Sequence, residues 1–161
     1  MPLNQNDLAS ALSTAWAAFP PTTDAGALAT AAAYNTYALA AMAPSGLPPS
    51  LVMLADLQDG LKAALAAGGS YSDGAQAWAD AFEAFWTNAL FGATSTPPVI
   101  PGTSTLKSGL EGLWTSQSIT MTLFPASAAQ HASLLHTFTT AIIVGDTVVP
   151  PPSGTPPGPI S

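Results

Sequence analysis

The chain has 161 residues, of which only 7% are charged and nine are acidic. With a net charge of −7 and only two lysines, Lys62 and Lys107, it has too few cations to neutralise a phosphate backbone, so we expect no nucleic-acid partner. Cysteine is absent, which excludes disulfides and thiolate metal sites, and the length suits one domain with a substantial core.

The first segment predicts a short amphipathic helix. Its large apolar residues recur at helical spacing: Leu8, Leu12, Trp16 and Phe19. Asn4 or Asn6 can cap its start, and the pair Pro20-Pro21 ends it. A second helix, rich in alanine, is predicted from about residue 23 to Met42.

The clearest helical signal follows the prolines at 44–49. Leucines recur there every three or four residues: Leu51, Leu54, Leu57, Leu61 and Leu65. Ser50 is the predicted N-cap of this third helix, and Gly68-Gly69 is its predicted end.

A fourth helix is predicted to open at Ser72 and Asp73 and to end near Gly92. Aromatic residues share one of its faces: Trp78, Phe82 and Phe85. So many rings on one helix indicate a core-forming element.

In the rest of the chain, extended and helical segments are predicted to alternate. Residues 93–103 form a proline-rich linker, and Leu106, Leu110 and Leu113 predict a short fifth helix. Residues 118–123 alternate in polarity, which predicts a strand, and a sixth helix is predicted from about Ala126 to Val144.

Residues 146–161 are too rich in proline for regular structure, so we expect an extended arm that docks on a neighbouring copy or partner. The predicted organisation is a helical domain at 1–145 followed by this arm.

Two long stretches lack charged residues, 25–55 and 112–145. A spanning helix needs about 20 predominantly apolar residues. Prolines interrupt both stretches, and the proline-free part of the first, residues 25–43, is built mainly of alanine, threonine, tyrosine and one asparagine rather than leucine and isoleucine. We therefore expect no membrane span.

Few residues of the sequence are candidates for a metal site or a catalytic site. His131 and His136 are five positions apart, about 140° around a helix, which disfavours a shared metal and favours structural histidines. The acidic pairs Asp56/Asp59 and Asp80/Glu83 are typical of a solvated helix face. We predict no catalytic residue, metal ligand or cofactor; an enzyme that uses Asp80 and Glu83 is a lesser alternative.

Several segments in order carry a family resemblance. They are Leu8-x-x-x-Leu12-x-x-x-Trp16-x-x-Phe19, Pro48-Pro49-Ser50 before a Leu/Ala helix, Ala75-Gln76-Ala77-Trp78-Ala79-Asp80-Ala81-Phe82, Pro97-Pro98, the His131 helix and the proline-rich end. In these the chain resembles small Ala- and Pro-rich virion proteins encoded in the structural and tail modules of tailed bacteriophages. It departs from them at residues 140–145, where related chains place a tryptophan. The resemblance implies a virion or contractile-particle component and transfers no catalytic residue.

The sequence thus predicts an all-α, single-domain bundle of about five to six helices with a proline-rich linker and C-terminal arm. A charge-poor surface is favoured where other subunits cover it. The expected function is a non-enzymatic structural component of the tail, neck or baseplate, made in the host cytoplasm and localised to the virion. Its expected partners are other particle proteins and copies of itself. The alternative is a secreted or surface Ala-rich helical bundle that binds a partner. The core or interface candidates are Leu54, Leu61, Trp78, Phe82, Phe85, Trp114, Phe138, Pro150, Pro151 and Pro152.

Overall fold

The structure is a computed structural model that describes residues 3–18, 20–44, 46–92, 97–120, 124–144 and 158–160. The helices within these ranges are α1 (Gln5–Ala17), α2 (Thr23–Ala38), α3 (Leu54–Ala67), α4 (Tyr71–Thr87), α5 (Thr103–Thr120) and α6 (Phe124–Thr140). The short strands are β1 (Pro49–Leu51), β2 (Leu90–Phe91), β3 (Ile143–Val144) and β4 (Gly158–Pro159). The predicted all-α, single-domain bundle is confirmed.

The helices pack in chain order, and α6 returns to pack on α1, so the bundle is a closed ring of neighbours. Local signals account for several helix ends. Asn4 caps α1 by accepting a hydrogen bond from the backbone N–H of Asn6 at 3.0 Å, as one of the two predicted caps. Ser70 and Asp73 form a capping box at the start of α4, two residues before the predicted opening at Ser72. Gly68 ends α3 with a φ of 63°, as predicted.

The prediction of Ser50 as a helix N-cap is wrong. Ser50 lies in β1, which pairs antiparallel with β2, and its hydroxyl donates to the carbonyls of Leu90 and Gly92 at 3.2 and 3.0 Å. Helix α3 therefore begins later, after Met53, whose backbone N–H donates to Phe85. Gly92 is likewise no helix cap, because α4 ends at Thr87 and Asn88 is its C-cap.

The strand predicted at 118–123 is also wrong where the structure describes it, because residues 118–120 belong to α5. The hydroxyls of Ser116 and Ser118 bond to carbonyls of the preceding turn, Leu113 and Thr115, at 2.8 and 2.7 Å. The hydrogen-bonding needs of both hydroxyls are therefore met within the helix. Residues 121–123 lie outside the described ranges.

Two helices, α2 and α6, end earlier than the sequence predicted. Helix α2 stops at Ala38 rather than Met42, and α6 stops at Thr140 because residues 143–144 pair as β3 with β4. The linker residue Val99 bridges to Ile143 beside them. The last described residues, expected on a neighbour, thus lie against the same chain, where Ile160 is buried.

The candidate residues occupy different depths. Leu61, Trp78, Phe82, Phe85 and Phe138 are buried in the core, whereas Leu54 and Trp114 pack partly buried against it. Pro150, Pro151 and Pro152, and Phe19 of the first helical pattern, lie outside the described residues. None of the helices described is both long and apolar enough for a bilayer crossing.

Candidate functional site

A groove of about 600 Å³ opens where residues from all six helices meet. We call it the aromatic groove and define it by Trp16, Thr30, Tyr71, Trp78, Trp114 and His131. Tyr71 and Leu65 lie at its rim, with 50% and 40% of their surfaces exposed. The volume lies in the range of small-molecule and side-chain pockets.

His131 lies at the centre of the groove wall. The indole N–H of Trp114 donates to its Nε2 at 2.8 Å, and its Nδ1 lies 2.8 Å from the carbonyl of Ser127. These partners assign the proton to Nδ1 and leave Nε2 as the acceptor. Burial lowers the pKa of His131 below its usual value. The ring is therefore a neutral, fully bonded structural group.

Edge-to-face contacts between rings build the walls. Trp16 meets His131 with ring centroids 5.0 Å apart, and Trp78 meets Trp114 at 5.6 Å. Gly74 lets Trp114 lie across α4, because a Cβ there would be 3.1 Å from the indole ring. These edge-to-face contacts are a favoured geometry for aromatic pairs and hold the rings of the wall together.

Most polar atoms of the groove are already paired. The indole N–H of Trp16 donates to the hydroxyl of Thr30 at 3.1 Å, and that hydroxyl donates to the carbonyl of Gly26 at 2.9 Å. Trp78 is 8% exposed, and the hydrogen bonds of the described residues include none from its indole N–H. No charged side chain lines the groove within the described ranges. The groove is therefore lined by aromatic side chains, without charge, and retains the indole N–H of Trp78 as a hydrogen-bond donor.

A second aromatic cluster lies deeper, where α2, α4 and α6 meet. The indole N–H of Trp86 donates to the hydroxyl of Tyr34 at 2.8 Å, and Thr139 lies 2.7 Å from that hydroxyl. Thr139 itself donates to the carbonyl of Leu135 at 2.7 Å. Donation in this chain of hydrogen bonds therefore has a single direction, from the indole of Trp86 to the carbonyl of Leu135. Burial raises the pKa of Tyr34 well above its usual value, so this phenol stays neutral.

Tyr37 and His136 form a separate pair beside a cavity of about 590 Å³ that Asp7 also lines. The Tyr37 hydroxyl lies 2.6 Å from His136 Nδ1. Burial, reinforced by neighbouring Tyr34, raises the pKa of Tyr37 and keeps it protonated. The hydrogen bond between this neutral phenol and the imidazole joins α2 to α6.

The structure separates the residues examined for chemistry. His131 lies in the aromatic groove and His136 in the second cavity. Asp80 accepts from Gln76 at 2.6 Å on an exposed surface, and Asp59 lies 4.0 Å from Lys62. The part of the chain that the structure describes brings no three His, Asp or Glu residues together as metal ligands.

Sequence reasoning did not predict the aromatic groove. Its six defining residues come from five helices, and Trp16 and His131 are far apart along the chain. The available signal was that Trp16, Trp78 and Trp114 lie on three different predicted helices. Comparison with protein-family models, curated proteins and solved structures found no match.

Proposed function

We propose that this chain is a non-enzymatic structural component of a tailed-phage virion, in the tail, neck or baseplate region, or of a related contractile particle. The observation that carries the proposal is the scarcity of charge, 7% of all residues against about a quarter in an ordinary soluble domain. The resemblance to small virion proteins directs the proposal to phage particles.

The described surface fits an assembly role. Large apolar side chains are exposed in several regions: Leu28, Leu39, Leu65, Tyr71, Val99 and Ile143. The ion pair Lys62–Asp59 is long, at 4.0 Å, and partly solvated. Contacts made by such a surface use apolar area and neutral hydrogen bonds, which salt does not screen.

The test is mass spectrometry of purified particles, washed before analysis in about 0.1 M and about 1 M NaCl. We expect the chain in stoichiometric amount after both washes. Its absence from particles, or its release by the stronger wash, contradicts the proposal. A monodisperse chain recovered from culture supernatant, and not from particles, supports the alternative of a secreted partner-binding bundle.

A further inference from the structure

We propose that the aromatic groove of one molecule binds the proline-rich run of a second copy, defined as residues 150–157. The proposal deepens the assembly role, on which it rests for the premise that copies meet. It names the surface and the segment through which they do so.

The chemistry of the groove selects the ligand. The indole N–H of Trp78 and the hydroxyl of half-exposed Tyr71 can donate, whereas both nitrogens of His131 and the hydroxyl of Thr30 are bonded within the wall. No charged side chain lines the groove within the described ranges. A fitting ligand is uncharged, presents ring or methylene surface, and brings carbonyl acceptors with few N–H donors.

A proline-rich segment has these properties. Proline has a backbone carbonyl but no N–H, and its ring packs flat on indole and phenol faces. Five of the eight residues in the run are proline, and residues 147–161 contain no charged side chain. A polyproline II segment also forms no internal hydrogen bonds, so its carbonyls are free to accept from the groove.

Chain geometry favours a second copy over the same molecule. The run ends directly before Gly158, which pairs with Val144 beyond the end of α6. His131 lies nine residues before Thr140, about 14 Å along the helix axis. Because the run is covalently joined to Gly158, which is held opposite Val144, the whole run cannot lie in the groove of the same molecule. Another molecule is free of this constraint.

The first experiment measures self-association by sedimentation velocity over a range of concentrations. Gly26→Leu fills the groove, because Gly26 lines it and an added Cβ meets no atom within 4 Å. Gly112→Leu is the matched control, since Gly112 is also helical with open space around it but is not a groove residue. Both changes favour the helix, so folding is retained.

We expect concentration-dependent association of the wild type and of Gly112→Leu. Gly26→Leu should weaken association at least tenfold, and Trp78→Phe about fivefold through the lost donor. Changing Pro150, Pro151 and Pro152 together to Ser should weaken it as Gly26→Leu does. A wild type that is monomeric at every concentration, or equal association of the two glycine variants, overturns the proposal.

The second experiment uses a fluorescent peptide of residues 148–159 and measures anisotropy with the triple-serine chain. We expect the peptide to bind this chain saturably. Adding Gly26→Leu to the triple-serine chain should abolish the binding, and a peptide with serine in place of its prolines should not bind. Binding that ignores either change contradicts the proposal. Absence of the chain from particles would refute the virion role alone, whereas failure of these binding assays would refute the groove alone.

Discussion

At the scale of single residues, the interior pairs its polar groups in directed chains. Trp86, Tyr34 and Thr139 each donate once, and the chain of donors ends on the carbonyl of Leu135. A buried donor that loses its acceptor costs more than the net contribution of the bond it made. The phenol hydroxyl of Tyr34 is therefore important for the stability of the fold.

Tyr34→Phe removes the acceptor of the Trp86 indole N–H and the donor to Thr139. Because Tyr34 and Trp86 are fully buried, water does not replace the lost group. We expect the free energy of unfolding to fall by about 1–3 kcal/mol in urea denaturation. Tyr71→Phe, whose hydroxyl is exposed, should change it by less than about 0.5 kcal/mol. Equal effects of the two changes would contradict the directed chain.

His131 makes stability depend on pH. Burial lowers its pKa in the folded state below the ordinary 6.5 of an unfolded histidine. As pH falls below about 6.5, the unfolded chain binds a proton that the folded one does not, so the free energy of unfolding decreases by up to about 1.4 kcal/mol per pH unit. The full contribution is present above the unfolded pKa.

Urea denaturation at several pH values between about 7.5 and 5 measures this loss. His131→Gln should flatten the curve in that window, because glutamine does not titrate. His136→Gln is the control. In this variant the free energy of unfolding should still decrease as the pH falls, because His131 is unchanged. If the curve of His131→Gln stays as steep as that of the wild type, another group causes the loss.

At the scale of elements, α3 and α4 approach each other closely at one point. A Cβ on Gly60 would lie 2.7 Å from the Cβ of Ala81 and 3.2 Å from its Cα. These atoms belong to or adjoin the backbone, so they cannot rotate away. Small residues at 60 and 81 therefore set the spacing of this helix pair.

Gly60→Ala gains about 1 kcal/mol of helix propensity but overpacks the α3–α4 contact. Because overpacking costs about 1–3 kcal/mol, we expect the gain to be cancelled or exceeded, with a net decrease of up to about 2 kcal/mol in the free energy of unfolding. Gly112→Ala has open space and should stabilise by about 0.5–1 kcal/mol.

Combining Gly60→Ala with Ala81→Gly removes the clashing methyl group. In thermal or urea unfolding, the double variant should lose less unfolding free energy than the two single variants lose when their effects are added. Simple additivity would show that the two positions do not touch.

The elements also show where sequence reasoning succeeds. Leucine spacing identified α3, and Asn4 and Gly68 marked helix ends, because these signals act within one or two turns. Ser50 was misassigned because its hydroxyl bonds to carbonyls forty residues away, in and beside β2. The groove escaped prediction for the same reason: only tertiary packing brings Trp16 next to His131.

At the scale of the whole molecule, the two chain ends stabilise the ring of helices differently. Helix α1 packs on α6, and the last described residues pair with the segment that follows α6. The backbone N–H of Ile160 donates to Ile142 at 3.0 Å, and only 2% of Ile160 is exposed. The end of the arm is thus part of its own domain.

Ile160→Ala tests this attachment. Removing a buried isoleucine side chain costs about 2–5 kcal/mol when the site is fully packed. We expect a loss of about 2 kcal/mol, because detachment of the short β4 segment limits the cost. Val99→Ala changes an exposed side chain that bridges to β3, the strand paired with β4, and should cost much less.

Dilution decides whether the isoleucine acts within one molecule or between two. If Ile160 packs on its own chain, the difference in unfolding free energy between Ile160→Ala and the wild type stays constant over about a fiftyfold dilution. If Ile160 packs on a neighbour, the difference shrinks as copies separate, since mass action removes that stabilisation from the wild type. The intramolecular pairing of β3 with β4 requires the constant difference, even where residues 150–157 join two copies.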